Sequence, residues 1–447
     1  MKIFLSILFV IVPNVPALTQ PKVLTMAHAV ETALRHNLNV QQAQNNVEAA
    51  EASLLAAYGS YLPTVSLGGQ WSRTQTVAAP TTRLDFFGRL ITLDEQRTIA
   101  NSFGTQLNVD YTVFDGFSRE ANWTKASSNK ASAEHTMNRT KQAIVFQTES
   151  AYLNVLRTEQ LVRVSEENLK RGQRQLERII ESNRLGALSL ADVYRQQSAV
   201  ASDELALITA QNNYNKAKAD LIALIGLDPM NEYQIADASI QSDIDQADIE
   251  GTVERYRNQL EIRRKALAAR PDYHSSRENY IAASSGVTQA RRGYIPTVRA
   301  FGSYGLSNTV LEKISDNKRM QWGLSFSWSL FDGLQTNQAL QAAQAQERNA
   351  ELLLAQTERA ISVEVKKALL DLEAARKQYE VAQKGLVAAA QDRRIAEERY
   401  NVGSGTLLDL LTANAGLVRA EADKINAVYN YIIAKRNVEY AVGERLY

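Results

Sequence analysis

The sequence predicts a mainly α-helical chain with a small membrane β part, built as one helix-hairpin unit repeated twice. Three observations predict this class. One constant interval links Asp115 with Asp332, Gly186 with Gly403, Asp192 with Asp409 and Gly226 with Gly443. Seven-residue apolar repeats run far longer than one globule needs. Four short segments alternate apolar and polar residues with period two.

The segment from Met1 to Ala17 opens with Lys2, continues through the apolar run from Ile3 to Val12 and reaches Val15-Pro16-Ala17, the pattern of a secretory signal peptide cleaved after Ala17. The chain has no cysteine, which excludes disulfides, thiolate metal sites and a lipid-acylated N-terminus. Fifty basic and 49 acidic residues leave a formal charge of +1, so no electrostatic case for nucleic acid exists. His28, His36, His135 and His274 show no ligand spacing and read as solvated surface residues, so neither a metal nor another cofactor is expected. No phosphate-binding loop or catalytic cluster is visible either, and an enzyme is not expected.

The first unit is expected over 18–227. It begins with a heptad run through Val40, Ala43, Val47, Ala50, Leu54 and Ala57 that Pro63 terminates. Strands are expected at about 63–75 and 104–114. Leu107, Val109, Tyr111 and Val113 alternate with Gln106, Asn108, Asp110 and Thr112, and Val65, Leu67 and Trp71 share a face with Gly69. A very long helix over about 115–183 follows, roughly 100 Å at 1.5 Å per residue, with Asp115 placed to cap it. The segment Leu185-Gly186-Ala187-Leu188-Ser189 turns the chain into a return helix over about 189–226.

A polar connection over 228–250 holds seven carboxylates and no lysine or arginine, without the fixed ligand spacing of a calcium loop. The second unit, 251–447, repeats the plan: a heptad run from Tyr280 to Tyr294, Pro296, strands at about 296–306 and 320–331, and long helices at about 332–400 and 406–443. Trp322, Leu324, Phe326, Trp328 and Leu330 alternate with Gln321, Gly323, Ser325, Ser327 and Ser329, large apolar side chains against small polar ones. Phe301 breaks the pattern by falling on the polar side. From Ile361 to Tyr400 the seam keeps steps of three and four, interrupted at Arg393. Val402-Gly403-Ser404-Gly405-Thr406 supplies the second turn.

A strand with lipid on one side and water on the other shows this alternation, and about 9 to 11 residues suffice to span a membrane at a tilt. Trp71, Leu107, Val109, Tyr111, Val113, Trp322, Leu324, Phe326, Trp328 and Leu330 are therefore the expected lipid-facing set. Nothing else in the chain reads as sheet, and four strands cannot close a membrane barrel, which needs about eight. Several chains must contribute.

The order of helix, Tyr-Leu-Pro, strand pair, Phe-Asp-Gly, long helix, glycine turn and return helix, twice over from about Leu24 to Gly443, resembles the TolC family of bacterial outer-membrane efflux proteins. The resemblance implies a homotrimer with four strands per chain in one 12-stranded β-barrel and a long periplasmic coiled-coil α-barrel. Such proteins are passive exit ducts of tripartite efflux pumps or type I secretion systems. Their partners are outer-membrane lipid, a periplasmic adaptor (membrane fusion) protein and, through it, an inner-membrane RND- or ABC-type transporter. By the same resemblance the two turns, 185–189 and 402–406, contact the adaptor, and Asp409 is the candidate for an acidic ring at the periplasmic gate, with Thr412 where a second acidic residue is found. The alternative is a secreted coiled-coil scaffold without a channel, which leaves Trp322, Phe326 and Trp328 exposed to no purpose.

Overall fold

The computed structural model describes residues 22–236 and 244–444. The expected leader and the middle of the polar connection lie outside these residues. The elements run β1 (Lys22–Leu24), α1 (Met26–His36), α2 (Leu38–Gly59), β2 (Thr64–Ala78), β3 (Thr81–Leu84), β4 (Leu90–Leu93), β5 (Gln96–Phe114), α3 (Ser118–Arg184) and α4 (Leu190–Leu224). There follow β6 (Tyr233–Ile235), α5 (Gln246–Arg255), α6 (Gln259–Ala269), α7 (Pro271–Arg291), β7 (Thr297–Asn308), β8 (Lys318–Ser327), α8 (Gln335–Asn401) and α9 (Leu407–Val442). α3 and α8 each hold 67 residues, and their starts, Ser118 and Gln335, are separated by the same interval as Asp115 and Asp332. Two compact bodies are formed, one from 22–42, 139–270 and 360–444, the other from 43–138 and 271–359.

In the first body, α1 lays Met26, Ala29 and Ala33 against Ile144, Tyr152, Leu153 and Val155 of α3, and Leu221, Ile225 and Tyr429 complete the core. The Tyr152 hydroxyl, fully buried, donates to the Leu24 carbonyl at 2.9 Å. That bond anchors β1, which pairs in parallel with β6. The expectation that only four segments form sheet is thus corrected: the polar connection carries β6, whose Ile235 is buried in this core.

Both return helices end alike. In α4 the Gly226 amide bonds the Ala223 carbonyl and the Leu227 amide the Ile222 carbonyl; in α9 the Gly443 amide bonds Tyr440 and the Glu444 amide Glu439. Gly226 and Gly443 hold φ of 78° and 79°, the left-handed turn that closes a helix and that glycine adopts without strain. A side chain then seals the last free carbonyls. Asn37 Nδ2 donates to the Leu224 carbonyl at 2.8 Å, and an Arg270 guanidinium nitrogen donates to the Ala441 carbonyl at 3.0 Å. Asn37 and Arg270 are separated by the same interval as Tyr61 and Tyr294, so both capping groups belong to the duplication. In the second copy the cap is ionic: Glu364 bridges Arg270 at 2.7 Å and Arg139 at 3.3 Å, and Arg139 lies 3.8 Å over the Tyr440 ring.

The heptad seam of α8 is buried at Ile361, Val365, Ala368, Leu372, Ala375 and Tyr379. Arg393, the interruption, sends its Nε to the Asn414 side chain of α9 at 3.1 Å and ion-pairs with Glu397 at 2.9 Å. Polar cross-helix bonding replaces apolar packing at that level.

The second body is organised by one antiparallel sheet in the order β2-β5-β7-β8. β2 and β5 extend well past the expected limits, to 15 and 19 residues, and the chain between them forms a further hairpin, β3 with β4. This is where the first copy carries its extra length. At the opposite end of the sheet each strand turns into helix through a two-residue left-handed elbow, Gly116-Phe117 and Gly333-Leu334, with φ of 69°, 65°, 67° and 69°. Asp332 Oδ2 accepts the Thr336 amide at 2.8 Å and also its hydroxyl, while Asp115 receives the Arg119 amide at 3.5 Å and pairs with its guanidinium.

Two histidines depart from the surface reading. His135 of α3 and His274 of α7 are half-buried with ring centroids 5.3 Å apart. Burial, and then His274, push the His135 pKa down, against weaker opposing pulls from Glu278 and Glu134. A depressed histidine pKa means the unfolded chain takes up the proton first, so neutral His135 contributes its full stability above about pH 6.5 and loses that contribution as pH falls below it. His135→Gln is expected to flatten this acid limb, read as melting temperature against pH between 7.5 and 5.

Candidate functional site

The two features with functional content are a two-faced sheet and a pair of helix-hairpin tips. Register fixes the faces of the sheet. Leu67, Leu107, Tyr304 and Met320 lie in one line across the strands, and Val65, Val109, Gly302 and Trp322 in another. Tyr111, Ala300 and Leu324 share the same face. The opposite face carries Ser66, Asn108, Ser303 and Gln321 in line, then Asp110, Phe301 and Gly323.

Phe301 has a local reason. A Cβ at Gly323 would stand 3.1 Å from Phe301 Cζ, so the ring covers the bare backbone of that glycine across the strand pair. The apolar face has no cover among the described residues: Trp71, Leu107, Val109, Tyr111, Val113, Trp322, Leu324 and Phe326 are all exposed. Leaving a large apolar side chain in water forgoes about 2 kcal/mol each, so a face of this extent requires a lipid or protein partner.

Three positions differ from the sequence expectation. β8 ends at Ser327, which leaves Trp328 and Leu330 beyond the strand; the Trp328 indole nitrogen donates to the Tyr294 carbonyl at 3.2 Å. The register shifts between Thr112 and Phe114, so Val113 is the unpaired residue of a bulge and Phe114 pairs with Val298. Met320 and Phe103 also belong to the apolar face; continuing the alternation one pleat beyond Trp322 finds Met320, and two pleats beyond Leu107, past Thr105, finds Phe103.

The tips are both in the first body. At the first, the Ala187 amide bonds the Ser182 carbonyl at 2.9 Å and Gly186 has φ 78°; at the second, the Ser404 amide bonds the Arg399 carbonyl at 2.9 Å and Gly403 has φ 75°. Leu185 and Val402, matched by the repeat interval, are 73% and 77% exposed. Beneath them Ile179, Val193 and Leu407 are buried, with Leu176, Leu188, Tyr400 and Leu411 packed around them, so the two hairpins share one apolar cluster. Gly405 stands opposite Leu188 in the repeat, and a Cβ there would lie 3.1 Å from Arg399 Cβ, close enough that the turn would have to yield to hold a side chain. Its amide instead adds a second bond to the Arg399 carbonyl.

Ser189 and Thr406 cap the return helices by accepting the amides of Asp192 and Asp409. Asp409 closes a capping box: its Oδ2 accepts the Thr406 amide at 3.0 Å and the Thr406 hydroxyl at 2.7 Å. Asp192 accepts the Ser189 hydroxyl at 2.7 Å and pairs with Arg195 at 3.0 Å. The candidate gate residue and its repeat partner therefore both have a capping job, readable in the sequence as Thr406-x-x-Asp409.

The Thr406 hydroxyl, then its amide, hold the Asp409 pKa below the usual carboxylate value. A depressed carboxylate stabilises above its unfolded value of about 3.9, and the contribution disappears as pH falls through the lower folded value. Asp409→Asn is expected to melt below the parent at pH 7, the difference closing as pH falls below 4.

Comparison with known proteins places these features. The family model for outer membrane efflux protein matches residues 29–227 and 262–444. The outer membrane protein TolC of Escherichia coli is 24% identical over 378 residues, covering 75% of this chain and 73% of that protein. Protein CyaE of Bordetella pertussis is 24% identical over 412 residues, covering 92% and 80%. Among solved structures, the Campylobacter jejuni CmeC outer membrane channel superposes with a TM-score of 0.78 at 21% identity over 94% of this chain and 85% of that one. VceC of Vibrio cholerae gives 0.75 at 20% identity, covering 94% and 96%. A duplicated frame that is matched in both halves, on a fold shared with such channels, means that this chain belongs to the outer membrane efflux protein family, whose members are channels rather than enzymes and sit in the outer membrane with a helical periplasmic tunnel.

Proposed function

We propose that three copies of this chain close into one 12-stranded barrel and serve as the passive exit duct of a tripartite efflux pump or type I secretion system. The observation that carries this is the four-stranded sheet with one exposed apolar face, one polar face and two unpaired edges, β2 and β8. Directions alternate along β2-β5-β7-β8, so β8 of one copy meets β2 of the next in antiparallel pairing, and every edge disappears on closure. Two copies would make eight strands, whose interior side chains fill; three is the smallest ring that leaves a lumen, lined by the polar face.

The tips at 185–189 and 402–406 are the docking elements for a periplasmic adaptor, which links the duct to an inner-membrane RND- or ABC-type transporter. Three copies of Asp409 near a threefold axis would favour cations over anions at the entrance. The capping box leaves this second role compatible with the first, because both bonds from Thr406 reach the same oxygen.

Because the chain lacks cysteine, Ser404→Cys provides a single attachment point for a photo-crosslinker in cells. Capture of a periplasmic adaptor, together with a trimeric mass after detergent extraction, supports the duct. A monomeric mass, or release of the protein in a salt wash, overturns it in favour of the scaffold.

A further inference from the structure

On the two edge strands the unbroken apolar run of the sheet's exposed face ends at a basic residue on the side away from the helices. On β2 it runs from Val65 to Trp71 and on β8 from Phe326 to Met320, about 20 Å along each strand. At a strand tilt of about 35–45° that run rises about 15 Å along the barrel axis, and the exposed Trp328 and Leu330 continue it on the helix side toward the roughly 25 Å band of outer-membrane barrels. One pleat further, on the same face, stand Arg73 on β2 and Lys318 on β8. Both are exposed, and neither has an ion-pair or hydrogen-bond partner among the described residues. The third cation on this face, Arg97 of β5, differs: it is neutralised by Glu95 at 2.7 Å. On the outward side β2 continues with Gln75 and Val77, β5 with Ile99 and Asn101, and β7 ends in Leu306 and Asn308, none of them acidic. On β8 the nearest carboxylate is Asp316, in the turn that precedes the strand, and it makes no ion pair with Lys318 among the described residues.

The two unpaired cations therefore sit on the two edge strands. This inference rests on the ring proposed above, in which β8 of one copy lies beside β2 of the next, so each seam between copies gathers Lys318 from one chain and Arg73 from its neighbour. A barrel rim immediately beyond the hydrocarbon band meets lipid headgroups, and Trp71 and Trp322 lie just inside it, where aromatic side chains mark the boundary. An unpaired guanidinium and an ammonium on one seam match a phosphate, the guanidinium in a fork and the ammonium as a point charge.

We propose that each seam between copies holds a phosphate-bearing lipid of the outer leaflet, gripped at its headgroup by Arg73 and Lys318 and along its acyl chains by the apolar band. The lipid would fasten neighbouring copies from outside, adding to the strand pairing at the weakest point of the ring.

The test is native mass spectrometry of the detergent-extracted full chain, titrated with bisphosphorylated lipid A, monophosphoryl lipid A or phosphatidylethanolamine. The expected result is retention of the bisphosphorylated lipid on the trimer, weakened by about tenfold or more in Arg73→Ala/Lys318→Ala, since each basic residue near a membrane surface contributes roughly fivefold. The charge-conserving Arg73→Lys/Lys318→Arg should retain most of the binding. Equal retention by the parent and the alanine variant, or equal retention of phosphatidylethanolamine, overturns the site. Competition by inorganic phosphate at millimolar concentration would mean a free anion site rather than a lipid seat and overturns it too. A trimer without bound lipid defeats this inference alone, whereas a monomer defeats the ring on which it rests.

Discussion

Gly226→Ala is expected to lower the stability of the extracted protein by about 3 kcal/mol, because two costs add. At φ 78° an L side chain costs about 1–2 kcal/mol, and the new Cβ would stand 2.6 Å from the His36 carbonyl oxygen and 2.8 Å from its carbon, backbone atoms that cannot rotate away. Gly186 is the internal control. It has the same φ but nothing within 4 Å of the Cβ position, so Gly186→Ala should cost only the conformational part, about 1 kcal/mol. The measurement is thermal unfolding of both variants beside the parent. Equal losses in the two would mean that the packing of α4 against the end of α1 is not as close as described.

Leu185→Asp/Val402→Asp is expected to abolish export while leaving assembly intact. Both side chains are about three-quarters exposed at matched positions of the two tips, so charging them disturbs no internal packing. In an adaptor interface two buried apolar anchors are worth about 2 kcal/mol each, and their loss would weaken docking by roughly a thousandfold. Leu188 separates docking from folding, because it packs into the cluster beneath the tips: Leu188→Asp should lower stability as well as export. The readouts are cargo efflux from cells, co-purification of the adaptor and the melting temperature. Full export by the double variant, with the protein present in the outer membrane, would remove the tips from the docking surface.

What could be read from the sequence was what is periodic. The seam through Ile361, Val365, Ala368 and Leu372 and the alternation through Trp322, Leu324 and Phe326 each repeat one instruction over many residues, and the constant interval between Asp115 and Asp332 or Gly186 and Gly403 states the helical frame twice. The family resemblance grew from the same features. What could not be read was local or non-local in a single residue. β1 and β6 are three residues each, too short for any period to register, and depend on a Tyr152 hydroxyl far along the chain from Leu24. The bulge at Val113 leaves the composition of β5 unchanged while moving Phe114 onto the face expected of its neighbour. His135 and His274 meet only because α3 and α7 pack there. At the candidate site, the capping role of Asp409 was legible in Thr406-x-x-Asp409; a carboxylate at a helix N-terminus satisfies local chemistry whether or not it also serves a ring.

The extra hairpin of β3 and β4 has an evolutionary meaning. Inserting one residue in α3 or α8 would turn every later side chain by about 100° and destroy the seam, so the duplicated helices are locked to a common ruler. The two copies could drift apart in length only where a strand pair ends in water, and the first has done so, ending in Phe86 and Phe87 at 98% and 77% exposure. In an outer-membrane protein that end faces the surroundings of the cell. This hairpin can therefore change in length and sequence while the register of the helices stays fixed.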